Sequence, residues 1–181
     1  MKPKIYLAGP TVFHPDFAAI FRDRKKLCAD FGFEGVAPID GDTELAPTND
    51  DPACLKLLAA AIRQGNIDKI SACDAIIADV SPFRGPGADD GTAWEMGLGE
   101  ALGKVVLAFS EQADETYAAQ VEKRPGVRPI TGKCLKLVDV DGLLVENFSL
   151  PTNLMLAAGP EKVLPSFNAA LARLSELLQR G

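Results

Sequence analysis

The chain is poor in the residues that metal and redox chemistry draw on. It contains a single histidine, His14, and four cysteines, Cys28, Cys54, Cys73 and Cys134, no two of which form a CxxC pair. Tetrahedral zinc sites take their ligands from these residue types at short spacing, so neither a zinc site nor a disulfide framework is indicated. The cysteines read as reduced packing residues, and no metal or cofactor is expected. Glycine-rich phosphate loops are missing too. Gly97, Gly99 and Gly103 lack the GxGxxG spacing and no GxxxxGK[ST] occurs, which removes support for dinucleotide and Walker-type binding. There is no run of about 18 apolar residues. The opening MKPKIYLAGP enters strand-like sequence directly, without the charged and apolar regions of a signal peptide. The expectation is a soluble, cytoplasmic protein away from membranes. Positive charge is scarce: a formal net charge of -6 gives no electrostatic reason to sit on a nucleic-acid backbone or an anionic membrane. Small-molecule chemistry fits better.

What is present is enough apolar sequence for one core. With 47% hydrophobic residues over 181 positions, a single domain spanning 1–181 is expected, since two comfortable domains would need a longer chain. No internal repeat stands out, and Pro/Gly/Asp clusters at 40–52, 81–91 and 124–132 read as loops. Residues 4–8 (KIYLA) are a short apolar run stopped by Gly9-Pro10, hence a buried strand. From Asp16 to Phe31 apolar residues return at helical spacing and Gly32 stands ready to end the helix. Residues 33–37 form a second strand. Helical spacing resumes over 51–73, with a break expected near Gly65. The run DAIIADV (74–80) is a strand, SPFRGPGADDG is a polar loop, a helix follows from Thr92 to about Gly103, and KVVLAF is another strand. Such alternation predicts an α/β fold: a flavodoxin-like, doubly wound, five-stranded parallel sheet with helices on both faces. In the last third a mobile loop is expected over 111–132, a weak strand near 135–140, and a final amphipathic helix carrying Phe167, Ala170, Leu171, Leu174, Leu177 and Leu178.

Ligands of open parallel sheets bind beyond the carboxyl ends of the strands, which directs attention to the loops after residues 8, 80 and 109. The first, AGPTVF, lets backbone approach a ligand at Gly9. The second carries Arg84, Asp89 and Asp90 directly before a helix. Two readings of Glu95 are open on spacing. Thr92 to Glu95 (TAWE) is a capping box, in which the glutamate only satisfies helix N–H groups. Alternatively, a first-turn carboxylate at the mouth of the sheet is kept ionised by the helix dipole and attacks carbon. Asp89 and Asp90 are open to the same pair of readings, as helix caps or as site residues.

The stretch ADVSPFRGPGADDGTAWEMGLGEALGK (78–104), preceded by GNIDKISACDAIIADV and by the opening IYLAGP, resembles the nucleoside 2-deoxyribosyltransferase family. PTNLM (151–155) stands where that family has its Asn-Leu-Met segment. The resemblance implies that Glu95 is the nucleophile, that Asp89 helps fix it and the deoxyribose, with Asp90 a neighbour, and that Tyr6 orients the carboxylate. Gly9 would touch the sugar. Asn153 and Met155 would be contributed by an adjacent subunit, the asparagine reaching the 5'-hydroxyl, so a homo-oligomer with shared sites is implied. Where some members have an aspartate that handles the proton on the base, this chain has Asn66, with Asp68 two residues later. An asparagine can hydrogen-bond the base but cannot donate a proton as a carboxylic acid does. Phe13, Phe83 and Trp94 are candidates to line the base pocket. The partners implied are deoxynucleosides and free nucleobases. The reaction implied is a retaining double displacement through a covalent deoxyribosyl-glutamate. Alternatives are hydrolysis of nucleosides or nucleoside 5'-monophosphates, with Arg84 on the phosphate, and a non-catalytic nucleotide-binding module.

Overall fold

The apolar runs at 4–8, 74–80 and 104–109 lie side by side in the computed structural model, which describes residues 2–41, 51–124, 128–129, 137–139, 141–159 and 161–179. Strand β1 (Lys4–Ala8) pairs in parallel with β2 (Glu34–Val36) on one side and β3 (Ala75–Asp79) on the other, and β3 pairs in parallel with β4 (Val105–Phe109). The sheet order is therefore β2-β1-β3-β4. Every residue of β3 is buried, as expected of a central parallel strand covered on both faces.

Alternation along the strands divides the core. Ile5, Leu7, Ala75, Ile77, Leu107 and Phe109 face α1 (Phe17–Asp30) and the C-terminal α6 (Phe167–Gln179), which contribute Phe21, Cys28, Ala170, Leu171 and Leu174. Tyr6, Ala8, Ile76 and Ala78 face the opposite way, with Ile70 of α2 (Pro52–Ala72) and Met96 of α3 (Asp90–Ala101). Fully burying each of these branched aliphatic side chains is worth about 1.5 to 3 kcal/mol. Gly99 lets α3 settle onto the sheet, because a Cβ there would lie 2.3 Å from Cδ1 of Ile76. Cys28 and Cys73 are free thiols whose burial pushes them up to about 11, which keeps them neutral. Cys134 lies outside the described residues.

The structure corrects several boundaries. Among the described residues the parallel sheet has four strands rather than five. Leu137–Val138 (β6) pairs antiparallel with Arg128–Pro129 (β5) in a separate two-stranded ribbon. Among the described residues the outer edge of β4 is instead met by Leu164 alone, whose N–H donates to the carbonyl of Ala108 and whose carbonyl accepts from the N–H of Ser110, both at 2.9 Å. Helix α2 runs unbroken through Gly65, since one interior glycine costs a helix only about 1 kcal/mol relative to alanine. The expected loop at 111–132 contains a short helix, α4 (Tyr117–Glu122), capped by Thr116, and part of that segment lies outside the described residues. A one-turn helix, α5 (Leu154–Ala157), follows the capping Asn153. No described helix is long and apolar enough to cross a membrane.

Candidate active site

Helix α3 is capped three residues before the position that the capping-box spacing suggests. Its N-cap is Asp89, whose Oδ2 accepts from both the backbone N–H and the hydroxyl of Thr92 at 2.9 Å. This removes the capping-box reading of Glu95 and the first-turn reading with it. Glu95 is the sixth residue of the helix, beyond the turn where the dipole acts strongly.

Glu95 is on the buried face of α3, in contact with Tyr6 of the sheet. Tyr6 is fully buried on β1, and its hydroxyl donates to Glu95 Oε1 at 2.6 Å. Asn66, on α2, donates from Nδ2 to the same oxygen at 3.5 Å, a long contact. Oε1 thus receives two donors, while Oε2 accepts no hydrogen bond among the described residues. Only 9% of Glu95 is exposed, and its carboxyl is raised from 4.5 to about 7. Burial is the largest cause; the Tyr6 hydroxyl opposes it, and the negative charge of Asp89 adds to it. The expectation of a carboxylate held ionised by the helix dipole is corrected accordingly.

Glu95 borders a cavity of about 500 Å³ whose lining includes Gly9, Phe13, Ile62, Asn66, Asp89 and Gly91. The volume is within the range of small-molecule sites, and a mainly apolar wall with a few convergent polar groups is their usual composition. Gly9 has φ +147°, and a Cβ on it would lie 2.7 Å from the Cβ of Asp79, so only glycine fits where the loop after β1 crosses the end of β3. Pro38 and Ile39 also line the cavity. They belong to the loop after β2, which drew no attention in the sequence because its apolar residues look like core; the rule about strand carboxyl ends applied to that loop as well.

The remaining candidates divide. Phe13 lines the cavity and stacks on Phe83 with ring centroids 5.2 Å apart, and the Arg84 guanidinium lies over both rings at 5.1 and 4.8 Å. Arg84 has φ +54° and does not line the cavity. Trp94 borders an adjoining pocket of about 440 Å³ that shares Ile62, Asn66, Gly91 and Glu95 with the first, and Arg63 lies over its ring at 4.7 Å. Asp68 is not brought to the site: two residues along a helix is about 200° around it, and Asp68 is exposed, accepting from Gln64. Asp90, Asn153 and Met155 meet at a separate pocket of about 410 Å³. Asn153 caps α5, its Oδ1 accepting from the Met155 N–H at 3.0 Å and its Nδ2 donating to Glu146 Oε2 at 3.1 Å. Met155 is 78% exposed, and neither residue lines the Glu95 cavity of its own chain.

The profile of the nucleoside 2-deoxyribosyltransferase family matches residues 5–155. A 2-deoxyribosyltransferase structure from Leishmania mexicana is similar with a TM-score of 0.73 at 39% identity, covering 96% of this chain and 97% of that one. An uncharacterized protein of Schizosaccharomyces pombe is 34% identical over 167 residues, 84% of this chain and 74% of the relative. With most of its length matched by the family profile, the chain belongs to the nucleoside 2-deoxyribosyltransferase family.

Proposed function

We propose that the protein transfers 2-deoxyribose between nucleobases by two displacements at Glu95. The observation that carries this reading is the asymmetric carboxylate: Oε1 is held by Tyr6 and Asn66, and Oε2 has no protein donor among the described residues at the edge of a cavity of nucleoside size. In the first step Oε2 bonds to C1' of a bound deoxynucleoside while the C1'–N bond breaks and its electron pair leaves with the base. The transition state is oxocarbenium-like, and a carboxylate beneath the ring stabilises that charge before trapping it. A 2'-deoxy sugar lacks the electron-withdrawing 2'-hydroxyl, so the cation forms more easily. In the second step a nitrogen of another base attacks C1' and Glu95 leaves, restoring the original configuration. Asn66 can hydrogen-bond the departing base but cannot protonate it as an acid, so the proton comes from another source.

Asn153 and Met155 are read as serving the cavity of a neighbouring copy in a homo-oligomer. They are exposed, held by Glu146 and the α5 cap, and lie away from the Glu95 of their own chain. The decisive assay supplies deoxyinosine and free adenine and follows nucleosides by chromatography. Appearance of deoxyadenosine supports transfer. Release of hypoxanthine with no new nucleoside, or faster turnover of a nucleoside 5'-monophosphate, would replace the proposal with hydrolysis.

A further inference from the structure

The loop after β1, Gly9 to Phe13, lines the cavity with Gly9, Val12 and Phe13, the loop after β3, Ser81 to Asp89, reaches it with Asp89, and a largely buried ion pair with no part in bond breaking joins the two loops. Asp79 ends β3; its Oδ1 accepts from the Ser81 N–H at 3.2 Å and its Oδ2 from Arg24 Nη2 at 3.0 Å. Through Nη1 the same guanidinium donates to the Thr11 hydroxyl at 2.9 Å. Arg24 projects from α1, packed over the rings of Phe109 and Phe167 at 5.2 and 5.4 Å. The Arg24 and Asp79 side chains are only 16% and 13% exposed, and Thr11 is 6% exposed.

Removing two charges from water is costly, and an apolar pair of the same volume often serves stability as well or better. What an apolar pair lacks is direction. A guanidinium is a rigid planar fork, and here its two prongs reach two different segments at fixed angles. Thr11 adjoins Val12 and lies two residues from Phe13, both of which line the cavity; Phe13 in turn stacks on Phe83 of the other loop.

We propose that Arg24 is a positioning residue for the donor-nucleoside cavity, tying Thr11 to Asp79 so that the Val12–Phe13 wall stands in register with the loop carrying Phe83 and Asp89. The inference rests on reading this cavity as the nucleoside site. Glu95 is held independently, by Tyr6 and by its own helix, so loosening the tie weakens binding and leaves the chemical step alone.

The test measures deoxyinosine binding by calorimetry, kcat for base exchange, and thermal midpoints for the wild type and for Thr11→Val, Thr11→Ser, Arg24→Lys and Asp79→Asn. Thr11→Val keeps the volume and removes only the acceptor, so the variant folds even if the charge variants do not. It is expected to raise Kd about tenfold with kcat within about twofold, the size of one lost hydrogen bond to a charged group. Thr11→Ser restores wild-type binding, and Arg24→Lys, which cannot span both partners, behaves like Thr11→Val. A lowered thermal midpoint with unchanged Kd overturns the proposal and leaves Arg24 a purely structural residue; so does a fall in kcat at unchanged Kd. A wild-type chain that binds deoxyinosine without exchanging bases overturns the proposed function alone, and one that does neither overturns both.

Discussion

Burial lifts the Glu95 carboxyl to about 7 and the Tyr6 phenol pulls it back, so at neutral pH the side chain divides between an ionised nucleophile and a neutral acid. If the ionised form attacks C1', kcat/KM for base exchange rises with pH and levels off above about 7. Tyr6→Phe removes the short Tyr6 hydrogen bond, which lowers this value, so the rising limb moves to higher pH and activity at neutrality falls; a limb left in place would break the link between Tyr6 and the nucleophile. The same group sets a stability trend. Its folded value lies above the ordinary 4.5, so its contribution is fully present below about 4.5 and is lost as pH climbs through about 7. Denaturant unfolding should therefore show the wild type losing on the order of 3 kcal/mol across that window relative to Glu95→Gln, which cannot ionise. Parallel curves for the two proteins would contradict the burial argument. The Tyr6–Glu95 pair was legible only through the family motif. Spacing alone favours a cap, and the error came from one residue: Asp89, not Thr92, starts the helix.

At the scale of elements, Asp89 has two jobs that substitution can separate. Asp89→Ala removes the cap of α3 and should cost about 1 kcal/mol in denaturant unfolding. Asp89→Asn keeps the cap and removes the charge, so stability is largely retained while the acid limb of the rate profile moves to lower pH, because Asp89 raises Glu95. Equal destabilisation by both variants would show that the charge, not the cap, holds the helix. The elements best read from sequence were those with a clear period: β1, β3 and β4 as apolar runs, and α6 with its stripe of Phe167, Ala170, Leu171 and Leu174. The fifth position of the sheet was illegible for a physical reason. Among the described residues a single one, Leu164, occupies it, and one residue has no period. Asp68 was misplaced because its closeness to Asn66 in sequence is a half turn of helix in space.

For the whole molecule, the Glu95 cavity and the Asn153–Met155 pair belong to different pockets of one chain. If sites are shared between copies, Glu95→Ala and Asn153→Ala are each inactive alone, and unfolding and refolding them as a mixture restores exchange through hybrid oligomers. A mixture as inactive as its parents would assign Asn153 no role across an interface. Sequence reasoning located the Asn153 segment through its motif, but where it stands relative to Glu95 depends on the path of residues 110–155, whose short helices and ribbon carry little periodic signal.

Base exchange as proposed depends on a bond between Oε2 of Glu95 and C1'. It is tested most directly by quenching the protein in acid shortly after mixing with a deoxynucleoside and no acceptor base, then mapping peptides by mass spectrometry. A deoxyribosyl group is expected on the peptide containing Glu95, absent in Glu95→Gln and discharged by added adenine to give deoxyadenosine. Base exchange proceeding at full rate with no adduct at any time point, or with the adduct on another residue, would contradict it.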